Sequence, residues 1–200
     1  MSALSLTDLD VAGDRFEMRF SGSGGQGLVL AAMLMAEAVG ANPQKRVVQT
    51  KSYGPEARGG ASKSDVVISD DEIYYPKALS LDLLLAMTQE ALDKYYPDLK
   101  DGGILVVDDM LVSRVPAGRH YGLPFTQIAR ERLGNVMVAN VVSLGTIAAI
   151  TGLTPLDTLL DVVLSRAPKG TGEVNKKALE TGYQEGLALK ARLGGVPVVM

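Results

Sequence analysis

A glycine cluster near the start of the chain has the spacing of an anion-binding turn. Gly22, Gly24 and Gly27 match the pattern G-x-G-x-x-G, between a segment of strand-like alternation and a long apolar segment typical of a helix. Small residues let backbone N–H groups approach an anion at a helix N-terminus, where unpaired donors and the helix dipole favour negative charge. Gly25 adds conformational freedom, and Gln26 adds an amide able to reach out of the turn. The structural alternative is that these glycines only permit close strand–helix packing.

A dinucleotide site would require a second feature. Such sites place an acidic residue about 20 residues after the glycines, at the end of the second strand, where it binds the adenosine ribose. Here the second strand ends near Thr50, and no acidic residue follows until Glu56, inside a loop. A standalone dinucleotide-dependent dehydrogenase is therefore an alternative that lacks its confirming residue.

A second segment, residues 51–62, concentrates charge, glycine and an aromatic hydroxyl. Arg58 offers a rigid fork for phosphate or carboxylate, Lys51 offers a mobile point charge, and Tyr53 lies between them. A loop after the second strand of a parallel sheet leaves at the same carboxyl edge as the glycine cluster, where ligands bind in such sheets. We therefore predict that the glycine cluster and residues 51–62 form one anion-binding or partner-docking site. The alternative is that residues 51–62 are a solvated surface loop.

The composition excludes several kinds of site. The 200 residues include 20 basic and 23 acidic side chains, a net charge of -3, so the basic footprint of a nucleic-acid-binding protein is absent. The chain has no cysteine and one histidine, which excludes disulfides, thiolate nucleophiles and all-cysteine iron–sulfur clusters held by this chain. The N-terminus does not resemble a signal peptide, and the uncharged stretch between Arg132 and Asp157 is too polar to span a membrane. We expect a cytoplasmic protein without a membrane partner.

The order of the predicted elements indicates an α/β fold. We predict a three-layer, mostly parallel Rossmann-like sheet with helices on both faces and a helical C-terminal part. Residues 1–14 are predicted to be a flexible leader, and residues 15–200 a single domain. Strands are predicted at 16–20, 46–50, 65–69, 81–87 and 103–108, with a short one near 120–123. Helices are predicted at 28–39, 88–96, 126–133, most of 135–150, 155–165 and 174–193, with Thr88, Thr154 and Thr171 as N-caps.

Two signatures together resemble a known family. They are GSGGQG at Gly22–Gly27, followed by an apolar helix, and SYGPEARGGASKSDVVIS at Ser52–Ser69. At this spacing the chain resembles the gamma subunit of the 2-oxoacid:ferredoxin oxidoreductases, and the GPEARGG variant is most similar to members that use 2-oxoglutarate. The resemblance covers mainly residues 16–110. Related enzymes for pyruvate, branched-chain 2-oxoacids and indolepyruvate share the domain.

The resemblance implies a subunit that is inactive alone. Such heterotetrameric complexes oxidatively decarboxylate the 2-oxoacid to acyl-CoA, succinyl-CoA for 2-oxoglutarate, and reduce ferredoxin. Thiamine diphosphate, magnesium and iron–sulfur clusters are implied in partner subunits of alpha, beta and delta type, with coenzyme A as cosubstrate and no cofactor held by this chain alone. The sequence is consistent with this division, because it has no cysteine and no GDG followed by the Asn pair of thiamine diphosphate sites.

The resemblance also implies a positioning role over the active site, on the coenzyme A side, with no catalytic residue and no metal ligand. Lys51 and Arg58 would bear on an anionic end of coenzyme A or the oxoacid, and Tyr53 would shape the loop or bond across a subunit boundary. The expected cofactor-binding set is Gly22, Ser23, Gly24, Gly25, Gln26, Gly27, Lys51, Tyr53 and Arg58. The alternative is a pure assembly subunit. When isolated, the chain could form a homodimer through the surface that meets its partners.

Other conspicuous residues have ordinary explanations. We interpret His120 as a loop or packing residue, because no nucleophile motif accompanies it. Asp108 and Asp109 are predicted to provide capping and surface charge, with magnesium binding or acid–base work as the alternative. The tyrosine pairs at 74–75 and 95–96 each precede a proline and indicate either a subunit contact or helix-boundary packing.

Overall fold

A computed structural model of the protein describes residues 15–52 and 61–194. The predicted leader, residues 1–14, lies outside the described residues. Residues 53–60, which include Tyr53 and Arg58, lie outside them as well.

The described residues form one six-stranded sheet in the order β2-β3-β1-β4-β5-β6. β3 runs antiparallel to its neighbours β1 and β2, whereas the three other neighbouring pairs are parallel. Five strands therefore share one direction, and the predicted α/β fold with a mostly parallel sheet is confirmed. The strands are β1 (Arg15–Ser23), β2 (Arg46–Ser52), β3 (Ala61–Ser69), β4 (Leu81–Ala86), β5 (Leu99–Asp108) and β6 (Tyr121–Leu123).

The strands predicted at 46–50 and 65–69 leave a loop over residues 51–64 between them, and this loop is wrong at both ends. β2 continues to Ser52 and β3 already begins at Ala61. β3 lies between two strands and pairs with both, so that Ser62 lies opposite Gly22 and Lys63 lies opposite Ser52. Pairing on two sides keeps these small and charged residues in a strand, although their intrinsic strand preference is low.

Helices cover the two faces of the sheet unequally. Alternate residues of the strands point to opposite faces. The larger core packs under α1, α4, α5 and α6, and a smaller one packs under α2, which confirms the three layers. The helices are α1 (Leu28–Gly40), α2 (Gln89–Tyr95), α3 (Phe125–Gln127), α4 (Ala139–Thr151), α5 (Leu156–Arg166) and α6 (Gly172–Arg192).

α4 is the centre of the helical layer. All its residues are buried, as its uncharged sequence predicts. Gly182 of α6 packs so closely on α4 that an added Cβ atom would lie 1.9 Å from the Val142 oxygen, and Thr146 Oγ1 donates to the Gly182 oxygen at 2.9 Å. Among the described residues no helix has the length and apolar character needed to cross a bilayer.

The helix ends agree only in part with the predicted caps. Thr88 is an N-cap, since its Oγ1 accepts from Ala91 N at 3.3 Å. Thr154 is not, because α5 begins one residue later than expected and the Thr154 hydroxyl donates to the Ala38 oxygen at 3.4 Å. Thr171 stands directly before α6, but its hydroxyl donates to the Pro168 oxygen at 2.8 Å instead of capping the helix.

The helix predicted at 126–133 is a different structure. α3 is a single turn, and a wide π-helical turn follows over Ile128–Arg132. Asn135 N donates to the oxygen of Ala129, six residues earlier, at 2.9 Å, and Gly134 has a φ of 69°. This hydrogen bond spans more residues than that of an α-helix, so the turn is wider, and the chain leaves the helix at Gly134.

A buried arginine of β1 contacts β3 and the end of α2. Arg19 of β1 is 1% exposed and binds both Asp65 oxygens, at 2.7 and 2.9 Å. It also pairs with Asp98, and its guanidinium carbon lies 5.0 Å from the centre of the Tyr95 ring. The Tyr95 hydroxyl donates to the Ala61 oxygen at 3.1 Å, which fixes the start of β3. Tyr95 is thus a packing residue.

Candidate functional site

The glycine cluster forms the turn between β1 and α1, and we call residues 22–27 the glycine loop. Gly25 and Gly27 have φ angles of 91° and 72°, a region that favours glycine. Within the described part of the chain, no hydrogen bond satisfies the N–H groups of Gly24, Gly25 or Gly27. The first turn of α1 contains no acidic residue. Free donors at the positive end of a helix dipole make this loop suited to an anion.

Gln26 acts inside the glycine loop. Its Oε1 accepts from Ser23 N at 2.8 Å, and its Nε2 donates to the Met87 oxygen, just after β4, at 3.4 Å. An added Cβ atom at Gly22 would lie 2.2 Å from Gln26 Oε1, so Gly22 provides the space for this side chain. The amide is turned inward, not outward as the sequence suggested, and it holds the loop against the end of β4.

The described flanks of the second segment lie at the same sheet edge as the glycine loop. Ser62 pairs with Gly22 across the sheet, and its Oγ donates to the Gly22 oxygen at 3.3 Å. β2 ends at Ser52, opposite Lys63 of β3. β1 and β2 both run antiparallel to β3, so their carboxyl ends meet at one edge. Tyr53 and Arg58 stay predicted site residues outside the described residues.

Lys51 lies on the same face of β2 as Gln49, whose side chain contacts the first turn of α1. Gln49 Nε2 donates to the Val29 oxygen of α1 and to Ser64 Oγ, both at 2.9 Å. Lys51 follows Gln49 by two residues, so it is on the same face of β2, and it is exposed. It is thus a cation near the carboxyl end of β2, the edge that carries the glycine loop. Gln49 was not among the predicted site residues; its signal in the sequence is a polar side chain directly after Val47 and Val48 in a short strand.

Asn140, in the first turn of α4, is a further residue that the sequence analysis missed. Its Nδ2 donates to the Gly27 oxygen at 3.1 Å. α1 and α4 therefore begin next to each other, and the positive ends of two helices of 13 residues converge on Gly27. The signal in the sequence was an amide side chain in the first turn of an uncharged helix whose other polar side chains are small hydroxyls.

Asp108 is a structural carboxylate. It is fully buried at the end of β5 and accepts from Thr126 N at 3.0 Å, Thr126 Oγ1 at 2.5 Å and Met110 N at 3.0 Å. Burial raises its pKa, although these hydrogen bonds oppose the rise. The prediction of capping is confirmed, and that of surface charge is wrong for Asp108. No cluster of three or more candidate metal ligands occurs in the described ranges.

His120 precedes β6 as a loop residue, with Nδ1 3.4 Å from the Gly118 oxygen. At the carboxyl edge of the sheet, where the glycine loop lies, apolar side chains are exposed after β5 and before α4. Exposed apolar side chains of this size, grouped at one edge, are typical of interaction surfaces. We call this group the apolar rim; it consists of Met110, Leu111, Val136 and Met137.

A model of the pyruvate ferredoxin/flavodoxin oxidoreductase family matches residues 17–185. The chain belongs to this family. The 2-oxoglutarate synthase subunit KorC of Methanocaldococcus jannaschii is 45% identical to it over 174 residues, which are 85% of this chain and 93% of that protein. The family predicted from the two signatures is confirmed. A second relative, 43% identical, is also named as a 2-oxoglutarate synthase subunit KorC.

Two solved structures of the family share the fold. The gamma subunit of a keto/oxoacid ferredoxin oxidoreductase from Geobacter sulfurreducens PCA superposes with a TM-score of 0.81 at 45% identity, over 88% of this chain and 99% of that one. The 2-oxoglutarate:ferredoxin oxidoreductase from Magnetococcus marinus, solved with 2-oxoglutarate, coenzyme A and succinyl-CoA bound, has a TM-score of 0.77 at 22% identity. That match covers 88% of this chain and 32% of the other, and it concerns the fold alone.

Proposed function

We propose that this chain is the gamma-type subunit of a 2-oxoglutarate:ferredoxin oxidoreductase and that it positions coenzyme A next to the active site of the complex. The complex would convert the 2-oxoacid and coenzyme A into acyl-CoA and CO₂, with two electrons passed to ferredoxin. The choice of 2-oxoglutarate rests on relatives named as 2-oxoglutarate synthase subunits at 45% and 43% identity, against 30% for a pyruvate synthase subunit.

The observation that carries the coenzyme A assignment is the set of glycine-loop N–H groups that have no hydrogen-bond partner among the described residues. Coenzyme A is an anionic ligand because it bears phosphate groups. The free N–H groups of Gly24, Gly25 and Gly27 would donate to phosphate oxygens at the start of α1. Lys51, and Arg58 by prediction, would add cationic charge at the same edge. These residues bind and orient the ligand, and they supply no proton or nucleophile.

The remaining chemistry belongs to partner subunits. Thiamine diphosphate with magnesium would supply the decarboxylation chemistry, and iron–sulfur clusters would carry the electrons to ferredoxin. This chain has no cysteine with which to ligate a cluster. The apolar rim lies at the same edge as the glycine loop, which favours a partner subunit that covers this edge. We therefore propose alpha, beta and delta-type subunits as partners.

The test is steady-state kinetics of the complex reconstituted with Lys51→Ala or Arg58→Ala. Each variant should raise the KM for coenzyme A about tenfold or more, since a charge-assisted contact is worth about 1.5–3 kcal/mol and a factor of ten corresponds to about 1.4 kcal/mol. The KM for the oxoacid should stay unchanged. Matched controls are Lys100→Ala and Arg46→Ala, which remove exposed cations at the start of β5 and β2, at the opposite edge.

An unchanged KM for coenzyme A in both site variants, with intact assembly, would remove these cations from the site and favour a pure assembly role. Mass spectrometry of the polypeptides that co-purify with this chain tests the partner assignment separately. Partners without a cysteine-rich, cluster-binding chain would contradict it.

A further inference from the structure

One buried polar atom lacks a hydrogen-bond partner, and it lies next to the glycine loop. Asn140 is 3% exposed, and its Nδ2 donates to the Gly27 oxygen. Its Oδ1 accepts no hydrogen bond, and it is the one buried side-chain nitrogen or oxygen in residues 15–52 and 61–194 of which this is true. The buried polar residues Ser143, Thr146 and Thr151 of the same helix all donate to backbone oxygens.

An orphaned amide oxygen at this position is unfavourable for folding alone. A buried acceptor without a donor loses its hydration and gains nothing in return. The hydroxyl groups of the same helix avoid this cost, because each donates to a backbone oxygen. A buried unsatisfied polar group in a native fold calls for an explanation, and a partner from outside the chain is one such explanation.

The Asn140 amide is packed directly against the glycine loop. An added Cβ atom at Gly27 would lie 2.5 Å from Asn140 Nδ2, so no side chain fits between the Gly27 backbone and the amide. Gly27 also needs its positive φ of 72° to begin α1. Asn140 Nδ2 thus fixes Gly27, the residue that ends the loop. Oδ1, the unpartnered atom, belongs to the same planar amide and is therefore held beside Gly27.

We propose that Asn140 is a positioning and ligand-contacting residue of this site. Its Nδ2 holds Gly27 in place, and its Oδ1 accepts a hydrogen bond from an N–H or O–H group of a ligand whose anionic part binds the N–H groups of the glycine loop. The ligand class is an anion with a neutral donor nearby. Coenzyme A has this chemistry, because it carries phosphates together with amide and hydroxyl groups. The inference rests on the proposed function and adds a residue to it.

The test compares two substitutions in α4 within the assembled complex. Asn140→Ala should raise the KM for coenzyme A about tenfold and leave the KM for the oxoacid unchanged, a split that a merely structural defect would not produce. Thr151→Val is the matched control, because it also removes a buried polar group from α4, at the end away from the loop. Both KM values should be unchanged in Thr151→Val.

Asn140→Ser introduces no buried charge and serves as the second variant where Asn140→Ala does not assemble. Its shorter side chain lacks the amide, so the KM for coenzyme A should rise in Asn140→Ser as well. If coenzyme A kinetics stay at the parent level in the Asn140 variant that assembles, while Lys51→Ala raises the KM, the Asn140 inference is wrong and the proposed function stands. If the KM for coenzyme A stays at the parent level in the Asn140 variant and in Lys51→Ala, the proposed coenzyme A site is wrong as well.

Discussion

Gln49 in β2 and Val29 in the first turn of α1 are joined by a hydrogen bond of 2.9 Å from the Gln49 amide to the Val29 oxygen. The same amide donates to Ser64 Oγ at 2.9 Å, and Ser64 in turn donates to the Thr50 oxygen at 3.0 Å. One side chain therefore links β2, β3 and α1 at the edge that carries the glycine loop. It fixes the position of Lys51 relative to that loop.

The first prediction is that Gln49→Ala destabilises the protein by about 1 kcal/mol. The change removes two hydrogen bonds, but Ser64 keeps its second partner, so the loss corresponds to that of one or two ordinary hydrogen bonds. Urea denaturation of the purified chain measures it. Gln44→Ala, an exposed glutamine before β2, should change the free energy of unfolding by less than about 0.5 kcal/mol. Equal effects of the two substitutions would contradict the structural role of Gln49.

The second prediction concerns the packing of α4 on α6. Gly182→Ala should destabilise the protein by about 3 kcal/mol, because the new methyl group would meet the Val142 backbone, which cannot move aside easily. Gly172→Ala is the matched control at the start of the same helix, where the nearest atom to an added Cβ, Leu164 Cδ2, is 3.8 Å away. It should be neutral or stabilising by up to about 1 kcal/mol, because alanine favours helices. Thermal or urea unfolding separates the two, and a tolerated Gly182→Ala would mean that α4 and α6 are further apart.

The sequence was sufficient for what depends on local pattern. The strand at Phe16–Phe20 follows from alternation, the glycine loop from the spacing of its glycines, and the helix from a long apolar segment without proline or glycine; all three are present. The reversal of β3 could not be predicted in this way, because strand direction depends on pairing between distant segments. The segment after β2 was nevertheless predicted at the right edge of the sheet, that of the glycine loop. β1 and β2 both run antiparallel to β3 and therefore share a direction.

The residues that sequence reasoning missed all depend on distant partners. Asn140 contacts Gly27 across 113 positions, and Arg19 meets Asp65 across 46 positions. In the alternating segment of β1, a charged residue is typical of a solvent-facing position. Arg19 is instead buried, because carboxylates from β3 and from the turn after α2 compensate its charge. Such compensation is a property of the fold and leaves no local pattern.

The third prediction follows from that compensation. Arg19→Met should destabilise the protein by about 3 kcal/mol or more, because it removes the guanidinium that compensates the buried Asp65. Within residues 15–52 and 61–194, Lys63, at 3.6 Å, is then the remaining ion-pair partner of Asp65. Adding Asp65→Asn should recover part of the loss, since the uncompensated charge disappears. Arg114→Met removes an ion pair with Asp93 whose side chains are 78% and 56% exposed, and it should change stability by less than about 0.5 kcal/mol. Denaturant titration of the three variants tests this, and a loss in Arg19→Met as small as in Arg114→Met would contradict it.

The fourth prediction uses the raised pKa of Asp108, which burial causes. With a raised pKa the folded chain binds more protons than the unfolded chain at intermediate pH, so this group stabilises the fold below its ordinary pKa and loses that contribution as pH rises through the raised one. The difference in unfolding free energy between the parent and Asp108→Asn, which does not titrate, should therefore fall with rising pH, by at most about 1.4 kcal/mol per pH unit. Urea denaturation of both proteins from about pH 4 to about pH 8 measures the difference, in which the other carboxylates cancel. A difference that grows with pH would mean that the hydrogen bonds from Thr126 and Met110 outweigh burial and that the pKa is lowered.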